Sequence, residues 1–150
     1  MTPIEYTPEV MLIEDDKDDQ YLAETAISEV MSGITLSTYT SAMEAQIHLL
    51  ERCQQRMRLP NLVLIDLNMP QYTGAEFLQA VRSEKALNAM PIVVYTTSSS
   101  EQDILNCYRL GANSYQIKPL SYAETRSMFN ITCQYWLNVV KPSPSLCYQD

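Results

Sequence analysis

Three stretches, VMLI at 10–13, LVLI at 62–65 and IVVY at 92–95, carry no polar aliphatic or charged residue. A strand with one wet face alternates apolar and polar side chains. A strand covered on both faces does not. These runs therefore read as central strands of a parallel sheet with helices above and below. Each run also stops abruptly. Val10–Ile13 meets Glu14-Asp15-Asp16, Leu62–Ile65 meets Asp66, and Ile92–Tyr95 meets Thr96-Thr97. An ionised carboxylate at the edge of a core costs free energy unless a cap, a cation or a reaction compensates it.

The segments between the runs have helical spacing. Asp18 to Met31 carries Leu22, Ala26, Ile27 and Val30 on one stripe, with Asp18 or Asp19 as the expected cap and Gly33 as a stop. Ile34–Tyr39 alternates and reads as a second strand. Ser41 and Glu44 form a capping box for a helix to about Gln55, with Ala45 and Leu49 inward. Strand three is read as Leu62–Asp66. Gly74 to about Arg82 makes a third helix with Phe77, Leu78 and Val81 inward. The serines 98–100 precede a fourth helix ending at Leu110, before Gly111. Ser114–Ile117 is a fifth strand. Ser121 and Glu124 open a last helix to about Val140, and Pro142 and Pro144 stop it. Five strands thus alternate with five helices in a doubly wound α/β domain. The expected organisation is an N-terminal extension over 1–9, the domain over 10–140 and a mobile tail over 141–150.

Charge and cysteine content narrow the function classes. Ten basic against 18 acidic residues give a net charge of −8, with no Lys/Arg cluster. That composition disfavours nucleic-acid binding and favours cations or protein surfaces as ligands. No apolar run approaches the ~20 residues of a membrane span. The start, MTPIEYTPEV, lacks the features of a secretory signal, so a cytoplasmic location is the expectation. Cys53, Cys107, Cys133 and Cys147 are widely spaced and read as free thiols. With His48 the sole histidine, a Cys/His zinc site is not expected.

In a doubly wound sheet the ligand site lies beyond the carboxyl ends of the strands. There the polar groups of strands one, three and four would meet Lys118-Pro119, which follows strand five. Taken singly, an acidic turn, a capping Asp or a surface Lys is ordinary. Together they make a cleft with several carboxylates, one ammonium and a hydroxyl. Clustered carboxylates repel, so protons or a cation must offset them. Oxygen ligands of this kind suit Mg²⁺. A carboxylate in such a site can take a phosphoryl group, with Lys118 and Mg²⁺ stabilising the transferring oxygens.

The segments MLIEDDKDD, LVLIDLNMPQYTG, PIVVYTTSSS and GANSYQIKPL, in this order, resemble the receiver domain of two-component response regulators. The likeness runs from about Val10 to Val140. It implies a five-stranded flavodoxin-like sheet in the order 2-1-3-4-5. It further implies phosphotransfer from a kinase histidine to Asp66. Glu14 and Asp15 match the acidic pair that orients Mg²⁺, and the backbone carbonyl of Asn68 matches a further ligand. Thr96 matches the switch hydroxyl, Tyr115 an aromatic rotamer switch and Lys118 the phosphoryl-pairing lysine. Pro119 is expected to follow a cis peptide bond. The acidic start and TTSSS resemble a single-domain subgroup associated with phytochrome-type histidine kinases. Glu14 replaces the commoner Asp, leaving Asp16 as a spare ligand, and Thr97 occupies a position that influences access to the phosphoryl group.

The resemblance implies output through helix four, strand five and helix five, read by a downstream protein, a phosphotransfer protein or a second copy of the chain. On the last helix Met128, Ile131, Tyr135 and Val139 form one apolar stripe, and Phe129, Cys133, Trp136 and Val140 a second. One suffices for packing on the sheet. Two other readings remain open at this stage: a phosphohydrolase with an aspartyl nucleophile, and a binding module that works without phosphorylation. Asn68 stands where such hydrolases usually carry a second Asp.

Overall fold

A computed structural model describes residues 7–146. The elements, in chain order, are β1 (Glu9–Ile13), α1 (Lys17–Val30), β2 (Thr35–Tyr39), α2 (Ala42–Gln54), β3 (Leu62–Ile65), α3 (Gly74–Ser83), β4 (Ile92–Thr96), α4 (Glu101–Arg109), β5 (Ser114–Ile117) and α5 (Tyr122–Gln134). A π-helical turn, Tyr135–Val139, continues α5, and Pro144–Leu146 forms a 3-10 turn. All neighbouring strands pair in parallel, in the order β2-β1-β3-β4-β5.

Alternate side chains of the central strands feed two cores. Met11, Ile13, Val63, Ile65, Ile92 and Val94 face α2, α3 and α4, where they meet Leu49, Phe77, Leu78 and Cys107. Val10, Leu12, Leu62, Leu64, Val93 and Tyr95 face α1 and α5, where they meet Ala26, Ile27, Phe129 and Cys133. A fully buried leucine or isoleucine of this kind contributes roughly 1.5–3 kcal/mol. The edge strands differ: β2 and β5 are half-buried or exposed throughout. Among the described residues Cys53, Cys107 and Cys133 are free thiols; Cys147 lies outside them, as do residues 1–6 of the expected extension over 1–9, whose Glu9 opens β1.

Helix ends follow side-chain chemistry. Asp16, Ser41, Thr73, Ser100 and Ser121 each accept a hydrogen bond from the backbone N–H three residues on. The cap of α1 is Asp16 rather than Asp18 or Asp19. The helix starts at Lys17, which leaves Asp18 and Asp19 in its first turn, against its positive end. The inward residues of α1 are Ala23, Ala26 and Ile27, while Leu22 is 43% exposed. The full reciprocal capping box lies at Thr73–Glu76.

The C-terminal end departs from the sequence reading. The α-helix stops at Gln134 and the backbone widens into the π turn. The Phe129 stripe packs on the sheet, with Trp136 against the same core. Of the other stripe, Met128 also packs against that core, while Ile131, 71% exposed, and Val139, 68% exposed, face outward. Residues 143–146, expected to be mobile, return to the body. Leu146 is buried, and its carbonyl accepts from the Leu59 amide at 2.9 Å.

Candidate functional site

The β1–α1, β3–α3, β4–α4 and β5–α5 connections all leave the sheet at the carboxyl ends of its strands. There Lys118 Nζ donates to three carboxylates: Asp19 Oδ2 at 2.8 Å, Asp66 Oδ2 at 3.0 Å and Glu14 Oε1 at 3.1 Å. The lysine side chain is 7% exposed and its ammonium lies 5.4 Å from the centre of the Tyr95 ring. Asp66 thus does not stand as a lone charge at the edge of the core. A buried cation balances it.

The charges are unequal. Burial, reinforced by the charge of Asp66, pushes the Glu14 carboxyl up to about 8. Burial alone would raise Asp66 too, but hydrogen bonding and charge from Lys118 outweigh it and hold Asp66 below the usual carboxylate range. Burial would lower Lys118, yet hydrogen bonds to Asp19 and Asp66 prevail and hold it above the ordinary lysine value. Near neutral pH, Glu14 is therefore the carboxyl that keeps a proton and Asp66 the one that stays charged.

The donor set fits a hard divalent cation. Glu14, Asp15 and Asp66 each offer a carboxylate oxygen, and these lie within 4.8 Å of one another. Glu14 Oε2 is buried with no hydrogen-bond partner, an acceptor that a cation would satisfy. Asp16 is exposed; it makes a second group of the same span with Glu14 and Asp19. Asn68 is exposed, its amide N donating to Asp66 Oδ1 at 3.3 Å and its side chain to Thr96 Oγ1 at 3.5 Å. The Thr96 hydroxyl, fully buried, also accepts from the Ser98 amide at 3.4 Å and helps hold Asp66 ionised. Tyr115 is half-buried, its hydroxyl donating to the Ser98 carbonyl at 2.8 Å. Thr97 is exposed.

The model of the response regulator receiver domain matches residues 10–130. The chain belongs to the response regulator receiver family. Response regulator Rcp1 of Synechocystis sp. is 29% identical over 132 residues, covering 87% of this chain and 90% of that protein. The probable methanogenesis regulatory protein FilR2 of Methanothrix harundinacea is 40% identical over 79 residues, 53% of this chain and 51% of its own length. This receiver therefore spans about half of FilR2 and nearly all of Rcp1. Among solved structures, the phosphorylated cyanobacterial phytochrome response regulator RcpA superposes with a TM-score of 0.82 at 28% identity, covering 91% of this chain and 99% of that one. The Mn²⁺-bound form of Rcp1 gives 0.79 at 28% identity, with the same coverage.

The fold expectation holds in this receiver, strand order included. One structural expectation at the site does not. No cis peptide bond occurs among the described residues, so Lys118–Pro119 is trans. Trans is the form the tertiary amide favours by about 0.5–1 kcal/mol, and with it Lys118 already reaches all three carboxylates. Sequence reasoning missed Asp19. It stood in the acidic run as a cap candidate, and no motif there signals a contact with a lysine 99 residues away.

The raised Glu14 carboxyl sets an expected pH dependence. Its folded value lies above its unfolded one, so the protonated form favours the fold. That contribution is complete below about 4.5 and is lost as pH rises through about 8. A divalent cation at Glu14 must displace that proton. Mg²⁺ affinity is expected to rise about tenfold per pH unit toward about 8 and then level off. Calorimetric titration across this range measures it; Glu14→Gln should flatten the slope, and a slope that persists would place the proton elsewhere.

Proposed function

We propose that this receiver takes a phosphoryl group onto Asp66 from a phosphohistidine of a histidine kinase, and that the modified state changes a protein-binding face. The observation that carries the reading is the Lys118 ammonium bonded to Asp66 beside the unpaired oxygen of Glu14. A carboxylate suited to be a nucleophile, its counter-cation and an unpartnered hard-ligand oxygen then stand in one cleft. The likeness to RcpA, a phytochrome response regulator, supports a phytochrome-type kinase as donor.

An oxygen of Asp66 attacks phosphorus while the P–N bond to the donor imidazole breaks. The ring leaves neutral once its other nitrogen has taken a proton from solvent, and an acyl phosphate remains. Asp66 is suited to this because it is held ionised. Mg²⁺ bound by Glu14, Asp15, Asp66 and the Asn68 carbonyl, with Asp16 as a spare ligand, would offset charge on the transferring oxygens. Lys118 and the Thr96 hydroxyl would bond those oxygens from the protein side. The chain assists its own modification and turns over no separate substrate.

The switch would then run through Thr96. A hydroxyl drawn toward the phosphoryl group gives up the Ser98 amide, and Tyr115 is tethered to the same Ser98. That links the cleft to α4, β5 and α5, a local charge event biasing a packing arrangement. Exposed Ile117, Ile131, Tyr135 and Val139 support this side as the output face, read by a downstream protein, a phosphotransfer protein or a second copy.

Incubation with acetyl phosphate and Mg²⁺, followed by intact-mass measurement, tests the assignment. The wild-type chain should gain one phosphoryl group. Asp66→Asn should reduce labelling at least about 100-fold, since an amide is not a phosphoryl acceptor. Undiminished labelling of that variant would remove Asp66 from the role.

A further inference from the structure

An ammonium group has three N–H donors and no acceptor. In this cleft all three are committed: to Asp19 at 2.8 Å, Asp66 at 3.0 Å and Glu14 at 3.1 Å. A phosphoryl oxygen arriving at Lys118 must therefore take a donor from a carboxylate. The three carboxylates do not yield equally. The side chains of Glu14 and Asp66 are 1% and 9% exposed, whereas that of Asp19 is 38% exposed. Asp19 alone of the three is already substantially hydrated and can release the lysine into water at small cost. It is also held in place to compete. Its backbone N–H is fixed by Asp16 Oδ1 at 2.9 Å in the first turn of α1, which presents its carboxylate to the lysine. Its charge sits in a cluster with Glu14 and Asp16 spanning no more than 4.8 Å, and opposes a further anion there.

We propose that Asp19 is a positioning residue acting through Lys118: it occupies one donor of the lysine and so weakens the hold of the cleft on a phosphoryl group. The proposal rests on the reading of Asp66 as phosphoacceptor and adds a resident competitor to it. Removing the charge of Asp19 frees a donor and relieves repulsion, and both effects favour the phosphorylated state.

The test is calorimetric titration with beryllofluoride in Mg²⁺, a non-covalent stand-in for the phosphoryl group. Asp19→Asn is expected to bind it about fivefold tighter than wild type, the size of one partly exposed ion pair. Asp19→Glu, which keeps the charge, should restore wild-type affinity. Asp18→Asn removes the same charge from the same helix turn and serves as control; it should leave affinity within about twofold. A purely structural role of Asp19 at the helix start would shift thermal stability without this pattern. Equal or weaker binding by Asp19→Asn would overturn the proposal, as would an equal gain in Asp18→Asn. If the amide destabilises α1, Asp19→Ser makes the same comparison with the same outcomes. Failure of the wild-type chain to bind beryllofluoride would instead strike the Asp66 reading, and this proposal with it.

Discussion

Replacing Lys118 by methionine is expected to slow acyl-phosphate formation at Asp66 by about two to three orders of magnitude. Methionine keeps the length of the side chain and removes its charge. In the wild-type chain the ammonium holds Asp66 ionised against a burial effect that pushes the other way. Without it, Asp66, Glu14 and Asp19 face one another with no compensating cation from the protein. A further proton is then retained on the cluster, and an ionised Asp66 is less often available. The transferring oxygens also lose a donor. Breaking a buried ion pair by removing one partner typically costs about 3–5 kcal/mol, reduced here because Asp19 is partly hydrated and the carboxyls can protonate. Mg²⁺ should recover part of the stability. Initial labelling rates with acetyl phosphate, at saturating Mg²⁺, measure the effect. A rate within about threefold of wild type would show that the lysine is dispensable to the transfer.

The second large effect lies in the backbone. Gly74→Ala is expected to destabilise the fold by about 3 kcal/mol and to impair labelling. Gly74 opens α3 with its backbone against the end of β3. A Cβ there would collide with the carbonyl oxygen of Asp66, and would come within 3.0 Å of the Leu67 Cα and 3.1 Å of the Asp66 carbonyl carbon. These are main-chain atoms, so no side chain can rotate away. The segment that must move is the one carrying Asp66, the proposed phosphoacceptor. Gly33 makes a useful contrast: its left-handed φ of +70° carries a conformational cost, but a Cβ would meet nothing within 4 Å. Gly33→Ala should therefore cost about 1 kcal/mol and leave labelling intact. Urea midpoints and labelling rates of the two variants separate the cases; a Gly74→Ala protein with normal labelling would show that the β3–α3 connection can yield.

Why was so much of this fold readable from one chain? The three central strands announce themselves because burial on both faces leaves no room for a polar residue. Their ends announce the cleft, since successive parallel strands all point their carboxyl ends the same way. What failed to show was side-chain geometry across elements. Helix phase in α1 was misread by one position at Leu22, because small Ala23 allows close approach to the sheet while the larger leucine stays outside. The single helix read to Val140 breaks its register at Gln134, and a π turn has no composition of its own. Asp19 was hidden for a similar reason: its partner is 99 residues distant. Arg82, which the sequence marks only as the approximate end of the third helix, donates to the carbonyls of Asn88, Met90 and Gly111, ties that only the folded chain reveals.

The bond between Leu59 and Leu146 has a practical bearing. Leu59 precedes β3, so it and the Leu146 bonded to it lie at the amino-terminal end of the sheet. Anything fused there, whether an affinity handle, a fluorophore or a surface tether, starts on the side of the molecule remote from the acidic cleft. A bead-bound copy would keep the Asp66 cleft open to a protein in solution.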